Sequence, residues 1–250
     1  MNQQNNQTGV VVKDGSILRS KKSRFESIFP RSTAALVKVK DAWRDLRSRG
    51  RTAEAVFTDI YERNLWGDSE SLSGRGSTLA RTTVIRRALP QLLAEVGASV
   101  MLDAPCGDFN WMQHAELGPV RYIGADVVPS LISRNREKYS VEGREFITLD
   151  ITVDSIPTVD VILCRDCFIH FSFRDIRAAL RNFKKSNSAY LFVTTHVGVR
   201  DHRNIVSGQG RNVNLQLPPF NFPTPLKLVV EDPDLNKCLG VWRLEQIQVE

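Results

Sequence analysis

Residues 100–112 read VMLDAPCGDFNWM, an apolar run that ends in Asp103 and continues into a turn of proline, glycine and a second acid. An apolar run bounded by turn residues is typical of a buried strand, predicted here at Val100–Ala104. Similar runs predict four further strands, at Tyr122–Val127, Glu145–Leu149, Val159–Cys164 and Ala189–Thr195. Because these runs are short, mainly apolar and rich in β-branched or aromatic residues, both faces of the sheet are expected to be covered.

Amphipathic stretches at 109–116, 130–139 and 172–185 separate these strands and predict helices. The alternation of strands and helices predicts an α/β fold with a doubly wound, mostly parallel sheet. Two later runs, Lys227–Glu231 and Gly240–Leu244, are expected to form a C-terminal antiparallel hairpin and to bring the sheet to seven strands.

Helical patterns at 53–65 and 78–96 precede the sheet and predict a helical N-terminal cover. Pro90 marks a point where the second of these helices is expected to bend or divide. The helix after the fourth strand has the clearest start, since Ser172 and Asp175 form an N-terminal capping pattern.

The charge of the chain is concentrated near its start. Residues 1–51 contain 12 Lys or Arg and four Asp or Glu, a net charge of +8, whereas the whole chain carries +6. We therefore expect a basic, partly disordered arm at 1–51, with one amphipathic helix at 33–48, and a folded domain at 52–250. Because the positive excess lies in the arm, the composition does not favour a basic groove for nucleic acid in the folded domain.

The overall composition is that of a soluble globular protein, with 42% apolar and 25% charged residues. No apolar run reaches the roughly 18 residues of a membrane span. The start, MNQQNNQTG, also lacks the apolar core of a secretory signal. Of the four cysteines, Cys164 and Cys167 form a single C-x-x-C, and all four are expected to be reduced thiols in the cytoplasm rather than metal ligands.

Three acids stand at the carboxyl ends of successive predicted strands: Asp103, Asp126 and Asp150. Ligands of an open parallel sheet bind beyond these ends, so the three carboxylates are expected at one site. Asp126 lies 19 residues after Gly107, close to the spacing of about 20 between a glycine turn and the acid that binds a ribose. The turn is not G-x-G-x-x-G and carries two acids, which disfavours the phosphates of NAD, FAD or ATP. The pattern indicates a ligand with a ribose and a cationic amino group but no phosphate.

The segments VMLDAPCGDFNWM, YIGADVV, FITLDI and VDVILCRDCFIHFS resemble motifs I to IV of class I S-adenosylmethionine (SAM)-dependent methyltransferases. More narrowly, the run from IYERNLWG through SGRGSTL and DAPCGDFNWM to PPFNFPTPL resembles a bacterial-type group within that family. The resemblance covers roughly residues 54–246 and implies the Rossmann-like fold of these enzymes. The acidic-x-Gly-x-Gly-x-Gly pattern of the family is altered, since Pro105 stands for its first glycine and Phe109 for its third.

The resemblance implies SAM as the cofactor and assigns a part of it to each strand end. Asp103 and Gly107 would approach the methionine half, and Asp126 would bind the ribose hydroxyls. Asp150 would receive the adenine amino group. The cofactor-binding residues implied in this way are Asp103, Pro105, Cys106, Gly107, Asp126, Val127, Asp150, Ile151 and Cys164.

Two groups beyond the fourth strand, Asp166 and His170, are candidates for catalysis. Asp166 is the favoured one, because Ile169 and Phe171 flank His170 and a buried, hydrogen-bonded histidine is the competing interpretation. For Asp166 the corresponding alternatives are a helix cap and a salt bridge with Arg165.

Four further residues are expected on the substrate side: Arg75, Ser77, His196 and Arg211. The loop at 73–77 either binds a carboxylate through its backbone N–H groups or is a flexible link in which Ser77 caps a helix. Arg211, in a loop-like stretch at 197–225, suits an acidic or hydroxylated substrate; a solvated loop is the alternative.

The sequence thus predicts an enzyme that transfers a methyl group from SAM to a small-molecule acceptor, such as a hydroxyl or carboxylate of a sugar or secondary metabolite. Two alternatives stay open: an RNA or protein methyltransferase docked through the basic arm, and a SAM-binding protein without catalysis. The stretch Cys164-Arg165-Asp166-Cys167 stands where amino-group methyltransferases of nucleic acids often carry an aromatic-Pro-Pro-aromatic tetrad. This difference disfavours nucleic acid as the acceptor.

Overall fold

The computed structural model describes residues 50–249 of the chain. The helix predicted at 33–48 and all but the last two residues of the predicted basic arm lie outside the described residues. Within residues 50–249, no helix combines the length and the apolarity that crossing a membrane requires.

Seven strands form a single sheet, as predicted. Their bounds are β1 Val100–Asp103, β2 Arg121–Asp126, β3 Arg144–Thr148, β4 Val161–Cys164, β5 Tyr190–His196, β6 Lys227–Asp232 and β7 Lys237–Arg243. The order across the sheet is β3-β2-β1-β4-β5-β7-β6. Strand β7 runs antiparallel to its two neighbours, β5 and β6, whereas the other pairs are parallel. The doubly wound, mostly parallel sheet and its C-terminal hairpin are therefore confirmed.

The strand order reverses between β1 and β4, which is the position where open α/β sheets bind their ligands. Asp103, the last residue of β1, is paired in register with Gly124 of β2 on one side and with Leu163 of β4 on the other. The chain segments that follow these three strands therefore begin at nearly the same level, around one opening.

Within the described residues, four α-helices accompany the sheet: α1 Ala53–Glu62, α2 Thr83–Glu95, α3 Pro129–Tyr139 and α4 Phe173–Lys185. The capping pattern of α4 is confirmed, because the Ser172 hydroxyl accepts a hydrogen bond from the Asp175 backbone N–H at 3.1 Å. Helix α2 runs through Pro90 as one helix, so of the two expected effects, bending or division, the division does not occur.

The prediction of a helix at 109–116 is also wrong, since only a short 3₁₀ turn forms there, at Met112–His114. Phe109 has a φ of 59°, in the left-handed region, and a right-handed helix cannot start through that conformation. The apolar side chains of this stretch pack into the core from an irregular loop, and Trp111 and Met112 are both buried. Their spacing resembles that of an amphipathic helix although no helix forms.

The sheet carries one apolar cluster on each face, as the continuous apolar runs indicated. Met101 belongs to the face covered by α2 and α3, whereas the next residue, Leu102, belongs to the face covered by α4. Both side chains are fully buried. Burial on both faces fixes the strands rigidly and leaves the loops at their ends to form a site.

Candidate active site

A cavity of about 340 Å³ opens at the carboxyl edge of the sheet, where the segments after β1, β2, β3 and β4 meet. Helix α1 and the loop before α2 close its other side. Its size lies within the range of small-molecule sites. Twelve of the residues singled out from the sequence line it: Arg75, Ser77, Asp103, Pro105, Cys106, Gly107, Asp126, Val127, Asp150, Ile151, Asp166 and His170.

Asp103 lies deepest among the strand-end acids and is 2% exposed. The Tyr122 hydroxyl donates a hydrogen bond to its Oδ2 at 2.8 Å. Burial raises the pKa of Asp103 to about 7, although the Tyr122 hydrogen bond and the charge of Arg165 both lower it. A cation placed against this carboxylate would restore its charge, so the site favours a positively charged ligand group at this position.

Asp126 ends β2 and holds the turn after β1 in place. The Gly107 backbone N–H donates to its Oδ2 at 3.1 Å and the Val128 backbone N–H to its Oδ1 at 3.1 Å. Burial raises the pKa of Asp126 to about 6 against the effect of these hydrogen bonds. Each carboxylate oxygen has a second lone pair, so both oxygens can also accept hydrogen bonds from a diol.

Asp150 presents a different arrangement, because one of its oxygens stabilises its own turn. Oδ1 accepts hydrogen bonds from the Thr152 backbone N–H at 2.8 Å and from the Thr152 hydroxyl at 2.6 Å. The Asp150 backbone N–H donates in turn to Asp154. These bonds fix the orientation of the carboxylate at the cavity wall.

Asp108 attaches the loop before α2 to the turn after β1, a connection that the sequence analysis missed. Its carboxylate accepts hydrogen bonds from the hydroxyls of Ser71 and Ser73 and from the Leu72 backbone N–H. The Ser73 hydroxyl also accepts a hydrogen bond from the Asp108 backbone N–H at 2.8 Å. The loop that carries Arg75 is therefore fixed by several hydrogen bonds rather than being a flexible link.

Gly107 is required at the point where this loop meets the turn. Its φ of 56° is in the left-handed region, and a Cβ atom there would lie 2.2 Å from the Ser73 Oγ. The close approach of the two segments thus depends on the missing side chain.

Asp166 belongs to a buried ion network that the sequence indicated only in part. Its Oδ2 lies 2.6 Å from the Lys237 Nζ and 3.2 Å from the Arg165 Nη1. Arg165 also pairs with Glu231, through Nη2 at 2.7 Å, and donates to the Gly76 carbonyl oxygen. Burial alone would raise the pKa of Asp166, but the charges of Arg165 and Lys237 outweigh it and lower this pKa to about 2. A carboxylate with so low a pKa is a poor proton acceptor, so this environment does not favour Asp166 as the base.

His170 lines the cavity and is half-buried, so it is not the fully buried histidine that its apolar neighbours suggested. Its Nδ1 lies 2.8 Å from the Gln209 carbonyl oxygen, which can only accept a hydrogen bond. The Nδ1 therefore carries the proton, and Nε2 is the basic nitrogen of the neutral ring. The imidazole stacks on the Trp66 ring, with the two centroids 5.0 Å apart.

Three predicted site residues lie outside the cavity lining: Cys164, His196 and Arg211. Cys164 is fully buried in β4, and Cys167 lines the cavity instead. His196 is buried against the Val213 backbone, and burial lowers its pKa. These positions do not support the expected substrate contact of His196.

Arg211 contacts other parts of the protein and does not line the cavity. Its guanidinium donates to the Phe168 carbonyl oxygen at 2.8 Å and lies over the Phe173 ring, 5.2 Å from the centroid. Its backbone N–H donates to the Ile169 carbonyl oxygen. Because the Gln209 carbonyl also contacts His170, the connection between β5 and β6 fastens onto the segment after β4 and fixes the position of His170.

Comparison of the sequence with protein families and with curated proteins identifies no relative. No family model matches the chain. No curated protein matches it significantly.

Solved structures match the fold. N-methyltransferase NodS from Bradyrhizobium japonicum WM9, in complex with S-adenosyl-L-homocysteine, matches with a TM-score of 0.55 and 16% identity, covering 74% of this chain and 97% of that chain. Human N-acetylserotonin methyltransferase, in complex with SAM, matches with a TM-score of 0.51 and 14% identity, covering 85% of this chain and 67% of that chain. At these identities the match shows the fold, that of class I methyltransferases.

Proposed function

We propose that this chain, which has the fold of class I SAM-dependent methyltransferases, is itself a methyltransferase that acts on a small molecule. The observation that carries the proposal is the convergence of Asp103, Asp126 and Asp150 on one cavity of about 340 Å³. Three acids at one site suit a ligand that offers several hydrogen-bond donors and a positive charge, and they repel a pyrophosphate.

The residues present fit SAM or its demethylated product, S-adenosylhomocysteine (SAH). We assign the ribose hydroxyls to Asp126, the adenine amino group to Asp150 and the amino-acid ammonium to Asp103. Arg75, a cation of the cavity lining, is our candidate for the amino-acid carboxylate. Pro105, Cys106, Val127 and Ile151 line the same cavity and would contact the rest of the cofactor.

SAM supplies a methyl group on a sulfonium, which already is a good leaving group. The protein then has to bring the acceptor into line with that methyl group and exclude water. We propose that His170 accepts the acceptor's proton through Nε2, because its Nδ1 is committed to the Gln209 carbonyl oxygen. Asp166 holds Lys237 and Arg165 in place and acts as a positioning residue.

The four cysteines are free and buried, which is consistent with a reducing compartment, and we place the proposed reaction in the cytoplasm. We also propose that residues 1–51 are a separate arm that methyl transfer does not need. An enzyme truncated to residues 52–250 should keep its rate. Loss of activity, together with a steep salt dependence of binding, would favour the RNA or protein methyltransferase instead.

The experiment that tests the proposed function follows the release of SAH from SAM when the purified chain is incubated with fractionated small-molecule extracts. We expect at least one fraction to stimulate SAH release, and the Asp126→Ala variant not to respond. SAH binding without release in any fraction would support the non-catalytic SAM-binding protein.

A further inference from the structure

We propose that the methyl acceptor is a flat, uncharged aromatic ring that carries a hydroxyl group, a phenol in the chemical sense. This inference rests on the proposed function and narrows its acceptor class, which the sequence left as broad as sugars and carboxylates. The geometry of one wall of the cavity and the charges of its lining carry the argument.

Four aromatic rings form one wall of the cavity: Phe57 and Trp66 from the N-terminal cover, and His170 and Phe171 from the segment after β4. We call this set the aromatic cluster. The centroids of Trp66 and His170 are 5.0 Å apart, those of Phe57 and Phe171 5.6 Å, and those of Phe57 and Trp66 6.5 Å. These spacings are those of aromatic pairs in protein cores.

The aromatic cluster is not a closed core, because most of its members keep exposed surface. Phe57, Trp66 and His170 are each half-buried while they line the cavity. Ring faces and edges that neighbouring side chains leave uncovered favour a planar apolar ligand over a polyol, whose hydroxyls would find few partners there.

The charges of the lining disfavour an anionic acceptor. The lining contains two guanidinium groups, those of Arg75 and Arg165, within the described part of the chain. Arg165 is committed to Glu231, Asp166 and the Gly76 carbonyl oxygen. Arg75 is exposed, and we assign it to the carboxylate of the cofactor. A carboxylate or phosphate inside the cavity would meet Asp103, Asp126 and Asp166 without a cation of its own.

His170 joins the aromatic cluster to the chemistry, because its ring stacks on Trp66 and, with Nδ1 donating to the Gln209 carbonyl oxygen, Nε2 is the nitrogen that can take up a proton. In the step we propose, the O–H proton of the ring passes to Nε2. The phenolate oxygen forms a bond to the methyl carbon, and the bond between that carbon and sulfur breaks. The electron pair of the broken bond stays on sulfur, which becomes the neutral thioether of SAH. The products are an aryl methyl ether, SAH and the imidazolium of His170.

Three ligands with a single six-membered ring separate the possibilities: phenol, cyclohexanol and benzoate. The affinity of SAH for the full chain is measured first by calorimetry, and each ring is then titrated with saturating SAH by ligand-observed NMR. We expect phenol to bind about threefold to tenfold more tightly than cyclohexanol, through ring contacts beyond area burial. Benzoate should bind at least about tenfold more weakly than phenol, because its charge is left unpaired.

Substitutions test whether the ring of the acceptor binds at the aromatic cluster. Trp66→Leu should abolish the preference for phenol over cyclohexanol while leaving the SAH affinity within about twofold of the wild-type value. Tyr190→Leu, a half-buried aromatic residue at the start of β5 and outside the cavity lining, is the matched control and should change neither. If Trp66→Leu does not fold, Trp66→Phe should keep the preference for phenol over cyclohexanol. The comparison of the three ligands on the wild type then decides between the acceptor classes.

The outcomes distinguish this inference from the proposed function. If SAH binds and phenol shows no advantage over cyclohexanol or benzoate, the inference is overturned and the proposed function stands. If SAH does not bind, the proposed function is overturned and the acceptor assignment with it, whichever of the three ring ligands binds.

Discussion

The backbone N–H of Gly107 lies 3.1 Å from the Oδ2 of Asp126, so the turn after β1 is hydrogen-bonded to the acid that ends β2. One carboxylate thus fixes the turn and faces the cavity at the same time. A change at Asp126 is therefore expected to affect both the stability of the fold and the binding of a cofactor.

Replacing Asp126 by alanine should weaken SAH binding by about 1.5–3 kcal/mol, the cost of losing hydrogen bonds to a charged acceptor. The variant also loses two backbone hydrogen bonds, so its free energy of unfolding should fall by about 1–3 kcal/mol. Calorimetry on the folded variant measures the first quantity and urea unfolding the second. Asp234→Asn, in the exposed turn between β6 and β7, is the control and should alter neither. Wild-type affinity in Asp126→Ala would remove the ribose assignment.

The affinity for SAH should depend on pH through Asp103. Burial raises the pKa of this carboxyl to about 7, so a large part of it is protonated below neutral pH in the ligand-free protein. The ammonium of SAH needs the carboxylate, and binding must therefore release a proton. The affinity should rise at least about tenfold between pH 5.5 and 7, because Asp126, with a pKa raised to about 6, becomes charged over the same range. Tyr122→Phe removes a hydrogen bond that lowers this pKa, so the rise should shift to higher pH. An affinity that does not change over this range would contradict the role of Asp103.

Gly107→Ala tests the contact between the turn and the loop before α2. The new Cβ would lie 2.2 Å from the Ser73 Oγ, and the loop must move to accommodate it. Gly143→Ala is a close control, because Gly143 has a φ of 78° but nothing within 4 Å of a new Cβ. Both variants should lose about 1–2 kcal/mol of stability from the left-handed backbone. Gly107→Ala alone should also lose SAH affinity, and equal affinities in the two variants would show that the loop does not matter for binding.

Asp166→Asn should destabilise the fold by about 3–5 kcal/mol, because it leaves Lys237 and Arg165 with one buried carboxylate between them. The double variant Asp166→Asn, Lys237→Met keeps Arg165 paired with Glu231 and restores the balance of charge. We expect thermal unfolding to show a higher melting temperature for the double variant than for the single one. Additive losses would mean that the two side chains do not interact energetically.

The architecture could be predicted from the sequence because strands covered on both faces are continuous apolar runs, and these are local features. The seven strands and three of the strand-end acids were found from such runs, although β3 and β6, at the two edges of the sheet, are only partly buried. The loop at 109–116 was predicted as a helix, because the left-handed backbone of Phe109 leaves no signal in a residue that is neither glycine nor asparagine. A spacing of apolar residues does not distinguish a helix from a loop that packs into the core.

The electrostatics of the site could not be predicted, because its partners are distant in the sequence. Lys237 lies 71 residues after Asp166, and that contact turns a candidate base into one member of an ion pair. Ser73 and Asp108 are 35 residues apart and meet only once β1 and the N-terminal cover have packed. Likewise, Arg211 was a plausible substrate ligand by residue type. Its side chain and backbone N–H instead donate hydrogen bonds to carbonyl oxygens of the segment after β4.

The most direct test of the central claim is isothermal titration of the wild-type chain with SAH, and with NADH and ATP as nucleotides that carry phosphates. The three carboxylates of the cavity predict micromolar or tighter binding of SAH, in 1:1 stoichiometry, and no measurable binding of either phosphate-bearing ligand. Tight binding of NADH or ATP, or the absence of SAH binding, would contradict the account.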